Sequence, residues 1–358
     1  MKILAFDIES CTGAPWDGSL CSFGYVLAEN GVAVRQEDIL VNPLPKFFTL
    51  GKFGEAPTLK LAYPVSAFRS SPRFNARFSA IKGLFEEADL VIGFSVQNDM
   101  KYLNNACDAF SLPRINFEFL DVQVLAGLAL PEYKNMGLRA VAAHYGIEFT
   151  EHRSDEDARA TYEIFLKLLE ISGGSAERLI EKFSVVKGKN GAAGHVNCYS
   201  IEDVRSRLDS GGKSVKKILV HYYGEHAGER VVRRGDLFEN KTVGVSEYIY
   251  APDTPLARKI IATAAAEGGT FDSSLQSCDY FVAAENDKAA YRVKKINRGC
   301  KILSVGEFEE ICGGLIDCEF DDFAVLTAHY GQLYTDRETP EERAARLAKR
   351  KGNGRKTD

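Results

Sequence analysis

The sequence predicts an α/β protein built from two unlike domains, and three features carry that expectation. Residues 2–10 form an apolar run of strand length, Lys2-Ile3-Leu4-Ala5-Phe6-Asp7-Ile8-Glu9-Ser10, that ends in two alternating acids. From Asn75 to about residue 170, segments of helical period alternate with short apolar strands. A second, tighter alternation of strands and helices occupies residues 238–315. Such alternation predicts sheets covered by helices.

The first strand sets the frame. Successive strand side chains point to opposite faces, so Asp7 and Glu9 project together from the end of a buried strand. Two adjacent anions on one face suit a pair of metal ligands; a strand running out into solvent is the plainer alternative. Cys21 to Leu27 reads as a second strand, Glu29-Asn30-Gly31 as a tight turn and Val32-Ala33-Val34 as a third strand, giving three antiparallel strands. Residues 43–74 hold five prolines and are expected to wander over the surface.

A helix follows from Asn75, with Phe78, Ile81, Leu84 and Phe85 at three- and four-residue spacing, and then the strand Leu90 to Phe94. Asp99 falls at the next strand-to-helix junction, where sites in α/β folds gather, although an N-cap acid is the commoner cause. Asp121 is expected to cap the helix beginning at Val122, and the helix Leu138 to Ile147 contains the stop glycine Gly146. Residues 151–170 contain an amphipathic helix with Ala158, Tyr162, Phe165, Leu168 and Leu169 inward. Asp157 looks along that buried face, where a carboxylate is costly unless paired or metal-bound. His152, five residues earlier, reaches toward the same place.

At 358 residues the chain exceeds the roughly 250–300 at which one core stops growing. The expected division is 1–172, a connecting region 173–237 with a helix and a hairpin, 238–315, and an extension 316–358 ending in a charged, disordered basic tail. The hairpin is expected from Ile218 to Tyr223 and Arg230 to Arg233 around Gly224 and Gly228, with residues 187–194 as a loop. No apolar run approaches the ~20 residues that span a bilayer, and Met1-Lys2-Ile3-Leu4 leads into the acidic strand rather than a cleavage site. No membrane association and a cytoplasmic location are therefore expected. Eight scattered cysteines without a Cys-x-x-Cys pair predict reduced thiols. Net charge is −5, but residues 343–358 carry +6, leaving −11 for the rest. An acidic body argues against a broad nucleic-acid-coating surface, leaving room for a narrow cleft in which cations offset the acids.

The Asp7-x-Glu9 strand end, Asp99 after Ser95-Val96-Gln97-Asn98, and His152-x-x-x-x-Asp157-Ala158, in that order, resemble the DEDDh 3′–5′ exonucleases, the family of the proofreading epsilon subunit of bacterial DNA polymerase III. The resemblance covers about residues 1–170. It implies an RNase H-like mixed-sheet domain, metal ligands Asp7, Glu9, Asp99 and Asp157, and His152 as general base. It further implies two divalent ions, Mg²⁺ or Mn²⁺, hydrolysis of phosphodiester bonds from a 3′ end, and single-stranded 3′ ends of DNA as partner, in replication or repair. The residue types suit that chemistry, because hard divalent ions prefer carboxylate oxygen and histidine changes charge near neutral pH. The sequence departs from the family in the segment before Asp99 and in Leu59 to Phe74, which bears on substrate preference. RNA trimming, and an inactive nuclease fold acting as a scaffold, remain alternatives. Trp16, Phe47 and Phe48 are candidate base stackers.

Residues 238–315 resemble a BRCT domain, through Gly268-Gly269 after the first helix, the Gly299 to Ser304 strand, and Phe308 where many members have Trp. That resemblance implies a protein partner, a DNA end or a phosphopeptide; Ser246 with Arg292 or Lys294 is the candidate phosphate site.

Overall fold

The computed structural model describes residues 1–12, 18–46, 48, 61–133 and 135–335. The chain forms two compact units, one from Met1–Ile201 with residues 331–335, the other from Glu202–Tyr330.

The first unit opens with the antiparallel meander β1 (Lys2–Ser10), β2 (Leu20–Glu29) and β3 (Val32–Leu40). Asn30 and Gly31, with φ of 51° and 86°, make the tight β2–β3 turn in the left-handed region. Helices α1 (Val65–Ser70) and α2 (Phe74–Glu87) lead to β4 (Leu90–Gly93) and α3 (Gln97–Ala109). Then come β5 (Phe117–Asp121), α4 (Val122–Ala129), α5 (Leu138–His144), α6 (Ser154–Glu170) and α7 (Ala176–Lys182). The short strands β6 (Val185–Val186) and β9 (Tyr199–Ser200) pair with each other, and between them β7 (Gly188–Gly191) and β8 (Gly194–Val196) form a hairpin.

The second unit holds α8 (Ile201–Ser210), α9 (Lys213–His226), β10 (Thr242–Val245), α10 (Glu247–Tyr250), α11 (Thr254–Ala266), β11 (Thr270–Phe271), β12 (Tyr280–Ala283), α12 (Lys288–Ile296), β13 (Lys301–Ser304), α13 (Val305–Ile311) and α14 (Asp322–Tyr330). Its four strands are parallel in the order β11-β10-β12-β13. Phe308 is fully buried and stacks on Phe238, centroids 5.6 Å apart. The chain then returns to the first unit as β14 (Leu333–Tyr334), which pairs with β8.

The large sheet runs β14-β8-β7-β5-β4-β1-β2-β3, with β1 antiparallel to β2 and parallel to β4. This is the mixed α/β class expected, with β1 held between β2 on one side and β4 on the other. Phe6, Phe23, Phe85 and Phe117 form an aromatic knot in its core; Phe85 and Phe117 lie 4.2 Å apart and Phe6 stacks on Phe23 at 5.8 Å. Such pairs add to the burial energy through offset and edge-to-face contact.

Three expectations are corrected. Residues 218–223 are helical, because Val215, Leu219, Val220 and Tyr223 recur at three- and four-residue spacing and bury one face of α9. Gly224 there is a close-approach glycine rather than a turn: a Cβ would stand 2.0 Å from Phe271 Cδ1. The stretch 187–194 is the β7–β8 hairpin rather than a loop, and Gly188 lets β7 lie directly over the Phe119 ring. Phe48 packs against Phe68, 5.8 Å between centroids, with the Arg69 guanidinium 5.1 Å from its own centroid, so it is part of a small core with Cys11 and Cys21. Trp16 and Phe47, and the basic tail beyond residue 335, lie outside the described residues. Within the extension 316–358, residues 322–330 form α14 and 333–334 form β14.

Candidate metal centre

Strand alternation does what the sequence implied. Ile8 is buried between half-buried Asp7 and Glu9, so both acids face the side on which α6 packs. Asp157 stands in the first turn of α6, and one carboxylate oxygen from each of Asp7, Glu9 and Asp157 lies within 4.8 Å of the others. Asp99, in the first turn of α3, accepts a hydrogen bond from the Ile8 amide at 2.8 Å, which ties it to the backbone between the two β1 acids. Four acids from three elements thus converge.

The electrostatics mark the cluster as incomplete by itself. Burial, then the charges of Asp99, Asp157 and Glu9, hold Asp7 well above the usual carboxylate range. Glu9 is pushed to about 8, first by burial and then by Asp157 and Asp99. Asp99 and Asp157 each rise to about 7 through burial, partly offset by hydrogen bonds from the Ile8 and His152 amides respectively. Oxygen-only donors, closely grouped and mutually repulsive, fit a hard divalent cation.

His152 precedes α6 with φ of 62°, a left-handed conformation uncommon for a residue with a side chain. Its backbone amide bonds Asp157, while its imidazole is exposed, with Nδ1 3.6 Å from Glu9 Oε1. Asp121 is a cap as expected, taking the Gln123 amide at 2.9 Å, and it also binds the Ser95 and Val96 amides that lead into α3. It therefore holds the turn that delivers Asp99.

Four further residues position the cluster. Gly24 lies opposite Asp7, and Ser22 opposite Glu9, on β2; Asp38 on β3 is opposite Gly24. The Ser154 hydroxyl lies 2.6 Å from that of Ser22 and donates to Asp38 at 2.9 Å, and Ser22 also donates to Asp38. This buried polar network pins the start of α6 to the sheet. The only trace of it in the sequence is Ser22 and Gly24, two small residues at period 2 inside an apolar strand.

The family model described as Exonuclease (RNase_T) matches residues 71–165, a span containing Asp99, His152 and Asp157; Asp7 and Glu9 precede it. DNA polymerase III subunit epsilon of Aquifex aeolicus (strain VF5) is 31% identical over 83 residues, 23% of this chain and 41% of that relative. The chain therefore spans about two fifths of the curated relative's length. Among solved structures, Exonuclease X in complex with 5′ overhanging duplex DNA is 16% identical, covering 50% of this chain and 97% of that one at a TM-score of 0.39. The nuclease domain of 3′hExo, a DEDDh family member bound to rAMP, is 13% identical, covering 48% and 94% at a TM-score of 0.40.

Proposed function

We propose, for a chain whose residues 71–165 match the Exonuclease family, a divalent-metal-dependent 3′–5′ exonuclease that releases nucleoside monophosphates from single-stranded 3′ ends of DNA, in replication or repair. The observation that carries this reading is the convergence of the Asp7, Glu9 and Asp157 carboxylates within 4.8 Å, beside Asp99. Those four acids would hold two ions, Mg²⁺ or Mn²⁺. When bound, such ions neutralise the phosphate and lower the pKa of a coordinated water.

The chain's own groups supply the rest. His152, exposed beside Glu9, takes the proton from the attacking water and passes it to solvent. The Ile8 amide keeps Asp99 aimed inward, and the His152 amide does the same for Asp157. The likeness to DNA polymerase III subunit epsilon supports DNA over RNA as substrate. For the second unit, the parallel sheet β11-β10-β12-β13 and the Gly268-Gly269 turn after α11 support a BRCT-like partner-binding module.

The test is release of mononucleotides from 3′-labelled and 5′-labelled single-stranded DNA and RNA, in Mg²⁺, Mn²⁺ or EDTA, beside Asp157→Ala. Metal-dependent release starting at the 3′ end, lost in the variant, is expected. No release from either polymer would overturn the enzyme reading, and faster release from RNA would move the substrate to RNA.

A further inference from the structure

Helix α12 gathers cations that no acid of its own stretch neutralises. Residues 288–301 contain Lys288, Arg292, Lys294, Lys295, Arg298 and Lys301 and no acid, in a chain of net charge −5. Ala289 and Val293 turn inward, so Lys288, Tyr291, Arg292 and Lys295 share the outward face at three- and four-residue spacing. Asp287, the nearest preceding acid, is already committed as the cap, accepting from the amides of Ala289 at 2.7 Å and Ala290 at 3.3 Å.

Several other cations of the unit are paired with acids, whereas those of α12 are grouped on one helix and, among the described residues, none is. Lys213 pairs with Glu247, Arg234 with Glu267 and Arg258 with Asp317, each at 2.8 Å, and Arg207 with Asp203 at 2.6 Å. Among the described residues, none of the α12 cations has a carboxylate within 4.0 Å. Tyr291 is 63% exposed in their midst, with Lys295 Nζ 4.8 Å from its ring centroid.

We propose that the outward face of α12 is an accessory docking surface for the phosphodiester backbone of single-stranded nucleic acid, with Tyr291 as a platform for one base. This rests on the nuclease reading for its choice of polymer. The charges from Lys288 to Lys295 spread along ~10 Å of helix, which suits successive phosphates of a strand. A single phosphorylated side chain would need a convergent pocket, and Ser246, the candidate hydroxyl for one, is buried and caps α10 through the Tyr248 amide. Unpaired cations beside an exposed aromatic ring match the electrostatic and stacking requirements of a single strand.

The full chain in EDTA, with fluorescent dT30 and rU30 across a salt series, tests this without any cleavage. The variant K288Q/R292Q/K294Q/K295Q is expected to bind both at least about tenfold more weakly at low salt. Each phosphate that is no longer neutralised makes the dependence of log affinity on log salt shallower by ~0.7, so the slope should fall by about 3. Tyr291→Ala should weaken binding with the slope unchanged. Unaltered affinity and slope in the quadruple variant, with its melting temperature retained, would overturn the proposal. So would a monophosphorylated peptide that displaces the oligonucleotide below the oligonucleotide's own Kd, which would assign the face to a protein partner. Because binding is read without metal, failure of the nuclease reading leaves this measurement intact.

Discussion

Gly24 and Ser154 meet where α6 rests on β2: a Cβ at residue 24 would stand 1.9 Å from the Ser154 carbonyl carbon and 2.1 Å from the Asp155 amide nitrogen. Both obstacles are backbone, so nothing flexible can give way. The absence of one carbon atom thus sets how closely the helix bearing Asp157 approaches the strand bearing Asp7 and Glu9.

Gly24→Ala should therefore displace the start of α6 and break the Ser154–Asp38 bond. A cost of about 1–3 kcal/mol is expected, as for other overpacked sites, read by urea unfolding. The diagnostic result is loss of the Mn²⁺-induced rise in melting temperature. Gly31→Ala is the control: its φ of 86° makes it costly too, but a Cβ there meets nothing within 4 Å, and the metal response should persist.

The carboxylate cluster predicts an unusual pH dependence of apo stability. Folding raises Glu9 from 4.5 to about 8 and Asp99 and Asp157 from 3.8 to about 7. Groups raised in the folded state bind protons more tightly there, so their contribution is fully present below the unfolded values near 4 and is lost as pH rises through 7 to 8. In EDTA the melting temperature of the first unit should fall between about pH 5 and 8, and Mg²⁺ should restore most at the upper end. Asp7→Asn should raise the apo melting temperature at pH 8 while abolishing cleavage; a fall there would assign Asp7 a structural role instead.

His152 offers a separation of strain from chemistry. His152→Gly accepts φ of 62° without penalty, and it keeps the backbone amide that bonds Asp157. Stability should stay level or rise by up to ~1 kcal/mol, the metal-induced thermal shift should be retained, and cleavage should fall by about 10²–10⁴-fold, the usual worth of a general base. Loss of the thermal shift would make His152 a ligand.

In the second unit, Phe308→Ala removes a fully buried ring stacked on Phe238. A loss of about 3–5 kcal/mol is expected. Limited proteolysis should then cut within residues 202–330 while the metal-dependent thermal shift of the first unit persists. A simultaneous loss of that shift would show that the two units do not unfold separately.

Much of the candidate site's geometry was legible because it depends on local periods. Asp7 and Glu9 share a face by strand alternation, Asp157 lies among inward positions of an amphipathic helix, and Asp121 announces a helix start by its place before Val122. The same rule found the buried face of α2, Phe78, Ile81, Leu84 and Phe85. At residues 218–223 the same period was present in Val215, Leu219, Val220 and Tyr223, but Gly224 resembled a turn although its role is close approach to Phe271.

By itself the sequence determined the first strands, the amphipathic helices α2 and α6 and the shared face of Asp7 and Glu9, since each follows from neighbours a few residues apart. Only the tertiary structure decided that Gly24, Ser22, Asp38 and Ser154 form the seat of α6, and that β14 closes the sheet against β8 after the chain has left and returned. Those pairings join residues far apart along the chain, as with Leu333 opposite Val196 and Tyr334 opposite His195. The physical reason is register: which residues face one another across strands is set by packing of the whole sheet, a long-range balance that no local period encodes.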